Sequence, residues 1–162
     1  EEHFFSLMTA INHMAETYQM PVIYSTHPRS RKRIESQGFR FHPLVQSLPP
    51  FGFLDYNKLQ MNSFCVLSDS GTLSEESALL GFVGVLLRTS TERPEVLDKG
   101  TVVLGGITGE EVNQAVELAV AMARNGETGI LAPDYRDTNV STKVVKLIQS
   151  YVKIVNRVVW GN

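Results

Sequence analysis

Cysteine occurs once in the 162 residues, at Cys65, so the chain can form no internal disulfide, and a reducing, cytoplasmic setting is expected. Its apolar neighbours mark it as a core thiol. No apolar run approaches the ~20 residues that span a bilayer, and no signal-peptide pattern is present, which argues against insertion and secretion. Neither sign of charge is in excess: 15 Lys and Arg against 17 Asp and Glu leave a net charge of −2. Nucleic acid and membrane surfaces are therefore not expected as partners, and a small ligand is. His3, His13 and His42 lack metal-ligand spacing, so neither a metal nor a cofactor is expected. Internal repeats, low-complexity tracts and interdomain linkers are also absent.

What is there reads as one domain over 1–162, long enough to bury a core. Phe4, Leu7, Met8, Ile11 and Met14 or Ala15 recur at spacings of three and four, which predicts an amphipathic helix over 1–19. Strands are then predicted at 21–26, 39–45, 64–67, 83–87 and 101–104, with helices at 28–37, 55–62, 72–80 and 94–99 between them. Thr108 and Glu111 form a capping-box pattern that opens a helix to about residue 125, and a loop over 126–138 leads to a terminal helix at 141–160. Strands alternating with helices through short loops define an α/β class with a doubly wound parallel sheet. Ligands of such sheets bind beyond the carboxyl ends of the strands, so the loops after residues 26, 67 and 87 are the ones to read for chemistry.

The run Cys65-Val-Leu-Ser-Asp-Ser-Gly-Thr-Leu-Ser-Glu-Glu76 passes from a short apolar strand through a turn of small residues into an acidic helix start. The first N–H groups of a helix have no helical partner and carry the positive end of its dipole, so a phosphate is stabilised there without a lysine. Gly71 leaves room for close backbone approach. Glu75, three residues after Thr72, reads as a capping-box partner. Glu76, one residue on, is placed to accept both hydroxyls of a ribose. Tyr56, in the preceding helix, is a candidate to stack on a base, or else a core aromatic. His27 stands at a strand's carboxyl end, followed by Arg29, Arg31, Lys32 and Arg33, which on their own read as a solvated basic face. Arg88 and Thr91-Glu-Arg-Pro-Glu95 set two guanidinium groups and two carboxylates in the loop after the next strand, fit either for a phosphate or for ion pairs that shape the loop.

Asp69-Ser-Gly-Thr-Leu-Ser-Glu-Glu76, with Arg88, Thr91-Glu-Arg-Pro-Glu95 and Gly100-Thr-Val-Val-Leu-Gly105 at this spacing, resembles the non-hydrolysing UDP-N-acetylglucosamine 2-epimerase family. The likeness runs from residue 1 to about residue 129 and includes His27-Pro28. It implies the second, Rossmann-like domain of a glycosyltransferase-B-like enzyme, a homodimer when full length, with UDP-sugar in the cleft between two domains. Carried over by position, Ser70, Gly71 and Thr72 meet the diphosphate, Glu76 the ribose and Tyr56 the uracil, with His27 and Arg88 near the UDP-sugar. The family turn has a second glycine where this chain has Thr72.

The resemblance further implies inversion at the second carbon of the sugar by anti elimination of UDP and re-addition to a glycal. The tail Pro133-Asp-Tyr-Arg-Asp-Thr-Asn-Val-Ser-Thr-Lys-Val-Val-Lys146 resembles the branch forming UDP-N-acetyl-L-fucosamine for bacterial capsule and O-antigen, whose substrate is a 6-deoxy sugar. Acid and base groups in the family come mostly from the first domain, so no catalytic residue is assigned. The chain reads as a fragment lacking that N-terminal domain and inactive by itself, with some of the apolar surface at 144–159 meant for the absent part. A glycosyltransferase donor domain and a non-catalytic nucleotide-binding module are the alternatives.

Overall fold

The computed structural model describes residues 2–161, so the expected helix start at Glu1 lies outside the described residues. The chain forms two compact units, Glu1–Leu131 and Ala132–Asn162. In the first, helices and strands alternate: α1 (Glu2–Tyr18), β1 (Val22–Ser25), α2 (Pro28–Ser36), β2 (Val45–Leu48), α3 (Phe53–Met61), β3 (Val66–Ser68), α4 (Leu73–Leu80), β4 (Gly84–Leu86), α5 (Pro94–Asp98), β5 (Val103–Leu104) and α6 (Gly109–Arg124). The second holds a 3-10 turn at Pro133–Arg136 and α7 (Val140–Val159).

All described strand pairs are parallel, β1 with β2 and β3 with β4 with β5, and each connection passes through a helix, as parallel pairing requires. The side chains of β4 alternate between two helical layers. Val85 and Leu87 join α6 residues Val112, Ala115, Val116 and Ala119 and α1 residues Ala10 and Met14 in one core cluster. Gly84 points the other way, where a Cβ would sit 3.3 Å from the Ser77 Cβ and 3.5 Å from Leu73 Cδ2 on α4. Helices thus cover both faces of this sheet, the Rossmann-like arrangement the alternating pattern implies.

The apolar face of α1 behaves as its spacing predicts: Met8, Ile11, Met14 and Ala15 are all buried. Ala10 and Met14 serve the α6 cluster, while Met8, Ile11 and Ala15 pack with Ile34 of α2 and Val45 of β2. Each such aliphatic chain, taken fully out of water, contributes roughly 1.5–3 kcal/mol for a Val- to Leu-sized group, before its entropic cost.

The second strand is displaced from its expected place at 39–45 to Val45–Leu48. The backbone of the preceding segment is satisfied from α1 instead of from a ladder: Asn12 Nδ2 donates to the Arg40 carbonyl at 3.0 Å, and Asn12 Oδ1 accepts from His42 N at 2.7 Å. Phe39 and Phe41 meet edge to face at 5.3 Å between ring centroids, Phe41 also lies against Tyr24, and Pro43 has no N–H to give a neighbouring strand. The aromatic residues that mimic a strand are anchors for a loop.

Helix α6 opens on the capping box as expected. Thr108 Oγ1 accepts from Glu111 N, and Glu111 Oε2 accepts from Thr108 N at 3.0 Å. In the second unit, α7 leaves Val144, Ile148, Tyr151, Val152 and Val155 substantially exposed. Among the described residues, no helix is long and apolar enough to cross a membrane.

Candidate functional site

Strand β3 ends at Ser68, and the chain turns through Asp69, Ser70, Gly71 and Thr72 before α4 begins at Leu73. Ser70 N donates to Ser68 Oγ at 3.1 Å, Leu73 N to the Ser70 carbonyl and Ser74 N to the Gly71 carbonyl. The N–H groups of Gly71 and Thr72 have no partner among the described residues, which leaves two donors at the positive end of α4. Beside them the Ser70 and Thr72 hydroxyls share a hydrogen bond of 2.9 Å. This is a rim of small donors suited to an anion.

Thr72 does not cap α4. Its backbone is already helical, with φ −64° and ψ −19°, whereas an N-cap side chain reaches back only from an extended backbone, and no cap hydrogen bond forms. Glu75 is accordingly free of the expected capping-box role and accepts from Arg93 Nε at 2.6 Å. Arg93 Nη1 also donates to Glu92 Oε1 at 2.6 Å. The guanidinium lies against Gly71, where an added Cβ would overlap Nη1 and come within 3.0 Å of Cζ. Gly71 therefore makes room first for Arg93, a neighbour from its own chain.

Arg88, at the end of β4, donates from Nε to the Asp69 carbonyl at 2.6 Å and from Nη1 to Glu92 Oε2 at 2.7 Å. Loop-shaping ion pairs and the donor turn are thus one assembly. The Glu92 carboxyl is held below its ordinary range by its own backbone N–H and by the charges of Arg88 and Arg93, and hydrogen bonding to Glu75 raises the Arg93 guanidinium further.

Glu76 is half-buried in the first turn of α4, and its Oε2 accepts from Gln60 Nε2 at 2.8 Å. Tyr56 stands one turn before Gln60 on α3 and is half-buried; burial raises its phenol, and the negative charges of Glu76 and Asp69 add to the effect. The structure therefore brings Tyr56, Ser70, Gly71, Thr72, Glu76 and Arg88 to the ends of β3 and β4. His27 caps α2, its Nδ1 accepting from Arg29 N at 3.2 Å, and makes no hydrogen bond to that turn. Gln60 is the residue that sequence reading leaves out of the site, whereas Arg93 and Glu92 belong to the loop read there as fit for a phosphate or for ion pairs, and they form the pairs. The four-residue spacing from Tyr56 to Gln60 was the available signal, since it places both on one face of a helix. Among the described residues, no group of three or more His, Cys, Asp or Glu is placed to hold a metal ion.

A parallel α/β unit with helices on both faces and an open donor turn at its strand ends is a Rossmann-like domain. The family model for UDP-N-acetylglucosamine 2-epimerase matches residues 1–149, and the chain belongs to that family. It is 34% identical over 115 residues to a UDP-N-acetylglucosamine 2-epimerase of Methanococcus maripaludis, which covers 68% of this chain and 31% of that protein. The structure of UDP-N-acetylglucosamine 2-epimerase from Rickettsia bellii superposes with a TM-score of 0.79 at 37% identity, over 100% of this chain and 45% of that one. The Methanocaldococcus jannaschii UDP-GlcNAc 2-epimerase, in complex with UDP-GlcNAc and UDP, gives a TM-score of 0.77 at 25% identity, over 93% of this chain and 41% of that one. The chain spans about a third of the length of the curated relatives it matches first.

Proposed function

We propose that this chain is the UDP-binding part of a UDP-sugar 2-epimerase. The observation that carries the reading is the pair of unpartnered N–H groups at Gly71 and Thr72, followed by the half-buried carboxylate of Glu76. The N–H pair and the Ser70 and Thr72 hydroxyls take the diphosphate, Glu76 accepts from the ribose hydroxyls, and Tyr56 lies against the uracil. Arg88 reaches the diphosphate from the neighbouring strand end, and His27 lies on the sugar side of the pocket. The ligands named for the Methanocaldococcus jannaschii complex support the nucleotide class.

The reaction of the whole protein is inversion at the second carbon of a UDP-N-acetyl hexosamine. A proton leaves C2 as the C1–O bond to UDP breaks, giving a glycal; UDP oxygen then re-adds to C1 as a proton returns to the opposite face of C2. The diphosphate site assists by stabilising charge on the departing UDP. The tail at 133–146 favours a 6-deoxy substrate leading to UDP-N-acetyl-L-fucosamine. A cytoplasmic homodimer, in which a further domain supplies the acid and base groups to this one, completes the proposal.

Calorimetric titration of the chain with UDP, beside Ser70→Ala and Glu76→Ala, tests it. Binding that weakens in both variants is the expected result, by roughly 1.5–3 kcal/mol for the charged hydrogen bonds of Glu76. Unchanged affinity in Glu76→Ala would remove the ribose assignment, and no binding to a chain shown to be folded would overturn the site.

A further inference from the structure

Gln60 is only 3% exposed, yet it is polar and sits in the last turn of α3, where an apolar residue would fill the same space without desolvating an amide. Its Nε2 donates to Glu76 Oε2 at 2.8 Å, while its Oε1 is buried without a partner. Its backbone is fixed as well, since the Gln60 carbonyl accepts from both Ser63 N and Ser63 Oγ at the end of the helix. A buried amide whose carbonyl has no partner is a poor stabiliser, and its presence calls for an explanation. The one bond it makes is a donor aimed at one oxygen of a carboxylate.

We infer that Gln60 is a positioning residue for ribose recognition: it pins Glu76 Oε2 and thereby presents the rest of that carboxylate to the sugar hydroxyls. The inference rests on the reading of Glu76 as the ribose acceptor. A carboxylate held on one side by a buried donor has lost its rotational freedom before the ligand arrives, so its bonds to a diol cost less ordering. Tyr56 stands four residues earlier on the same face of α3, so one helix carries both the aromatic of the pocket and the group that aims its acid.

UDP and 2′-deoxy-UDP are titrated against the parent chain, Gln60→Met, Glu76→Ala and the double variant, each shown by circular dichroism to be folded. The parent should prefer UDP by about tenfold, the scale of one hydrogen bond to a charged group. Gln60→Met should lower that preference to about threefold or less, leave the affinity for 2′-deoxy-UDP within about twofold, and add nothing to Glu76→Ala in the double variant. A Gln60→Met chain that keeps the full preference, or that loses both ligands equally through mere packing damage, would overturn the inference. A Glu76→Ala chain that keeps the preference would instead overturn the ribose reading beneath it, so the two failures are distinct.

Discussion

Arg93 Nε donates to Glu75 Oε1 at 2.6 Å across 18 positions of sequence, which ties the first turn of α4 to the loop that follows β4. The same guanidinium holds Glu92, and Glu92 holds Arg88, whose Nε reaches the Asp69 carbonyl. The donor turn is therefore clamped from behind by a chain of alternating charges, and Gly71 is the residue against which the clamp closes. In the proposed diphosphate site that arrangement would hold the N–H groups of Gly71 and Thr72 in place before a ligand enters, and so favour an anion without a lysine.

Gly71→Ala follows directly. The new methyl would overlap Arg93 Nη1, and the group that must yield is the end of a flexible side chain, not backbone. The expected stability loss is about 1 kcal/mol, the low end of overpacking costs. UDP affinity should fall more than stability does, because the displaced guanidinium releases Glu75 and Glu92 toward the anion. Thermal unfolding and calorimetry on the same variant separate the two effects, and an unchanged UDP affinity would dissociate the clamp from the site.

Asn12→Ala tests the segment that replaces the expected strand at 39–45. Asn12 satisfies the exposed Arg40 carbonyl and the partly buried His42 N–H, and alanine removes both bonds, leaving the His42 N–H as the costlier of the two to strand. A loss of about 1–3 kcal/mol in urea unfolding is expected from such orphaned groups. A loss below about 0.5 kcal/mol would mean that solvent satisfies them and that the aromatic anchors alone hold the loop.

Sequence patterns carried the alternation of helices and strands, because buried strands and amphipathic helices differ in apolar period. They carried less at positions where two groups compete for one partner. Thr72 with Glu75 and Thr108 with Glu111 have the same spacing, yet only the second pair makes a capping box. Thr108 is extended at φ −93° and ψ 156°, while Thr72 is already helical, and Glu75 has a guanidinium within reach from another loop. Nothing local to either motif reveals that difference. Phe39 and Phe41 mislead for a related reason, since aromatic alternation marks burial, and burial is also what a loop anchored by α1 supplies. At the candidate site, the strand-to-helix turn that carries Ser70, Gly71 and Thr72 was legible from the change of period, and ion pairing was one of the two readings of the Arg88 and Arg93 loop, whereas the contact of Gln60 with Glu76 exists only once α3 and α4 have docked.

Cys65 supplies a chemical test of the core. Burial pushes its thiol up to about 12; the side chain is partly buried against the α6 core cluster, and its Sγ donates to the Val66 carbonyl at 3.9 Å. Since the thiolate is the reactive form, alkylation by iodoacetamide at pH 8 should run roughly a thousandfold slower in the folded chain than in urea, where the thiol has its ordinary pKa. Labelling at similar rates in both states would show that the strand leading into the donor turn opens readily.

The capping box of α6 should make stability depend on pH in a predictable direction. Glu111 is held below its ordinary value of 4.5, first by the Thr108 backbone N–H, then by the Thr108 hydroxyl and the Ile107 N–H. A carboxyl whose native pKa is depressed contributes stability that is fully present above its unfolded value and disappears as pH falls through the lower native value. Thr108→Ala removes the hydroxyl on which Glu111 N donates and which itself donates to Glu111 Oε2, at 3.3 and 2.8 Å. At pH 7 the expected cost is about 1 kcal/mol, as for other lost N-caps. At an acid pH low enough to protonate Glu111, the box loosens in the parent chain too, so the difference between parent and variant should shrink. Urea midpoints at the two pH values measure this. An equal difference at both would show that the Glu111 carboxylate contributes nothing to the cap beyond what the Thr108 hydroxyl supplies.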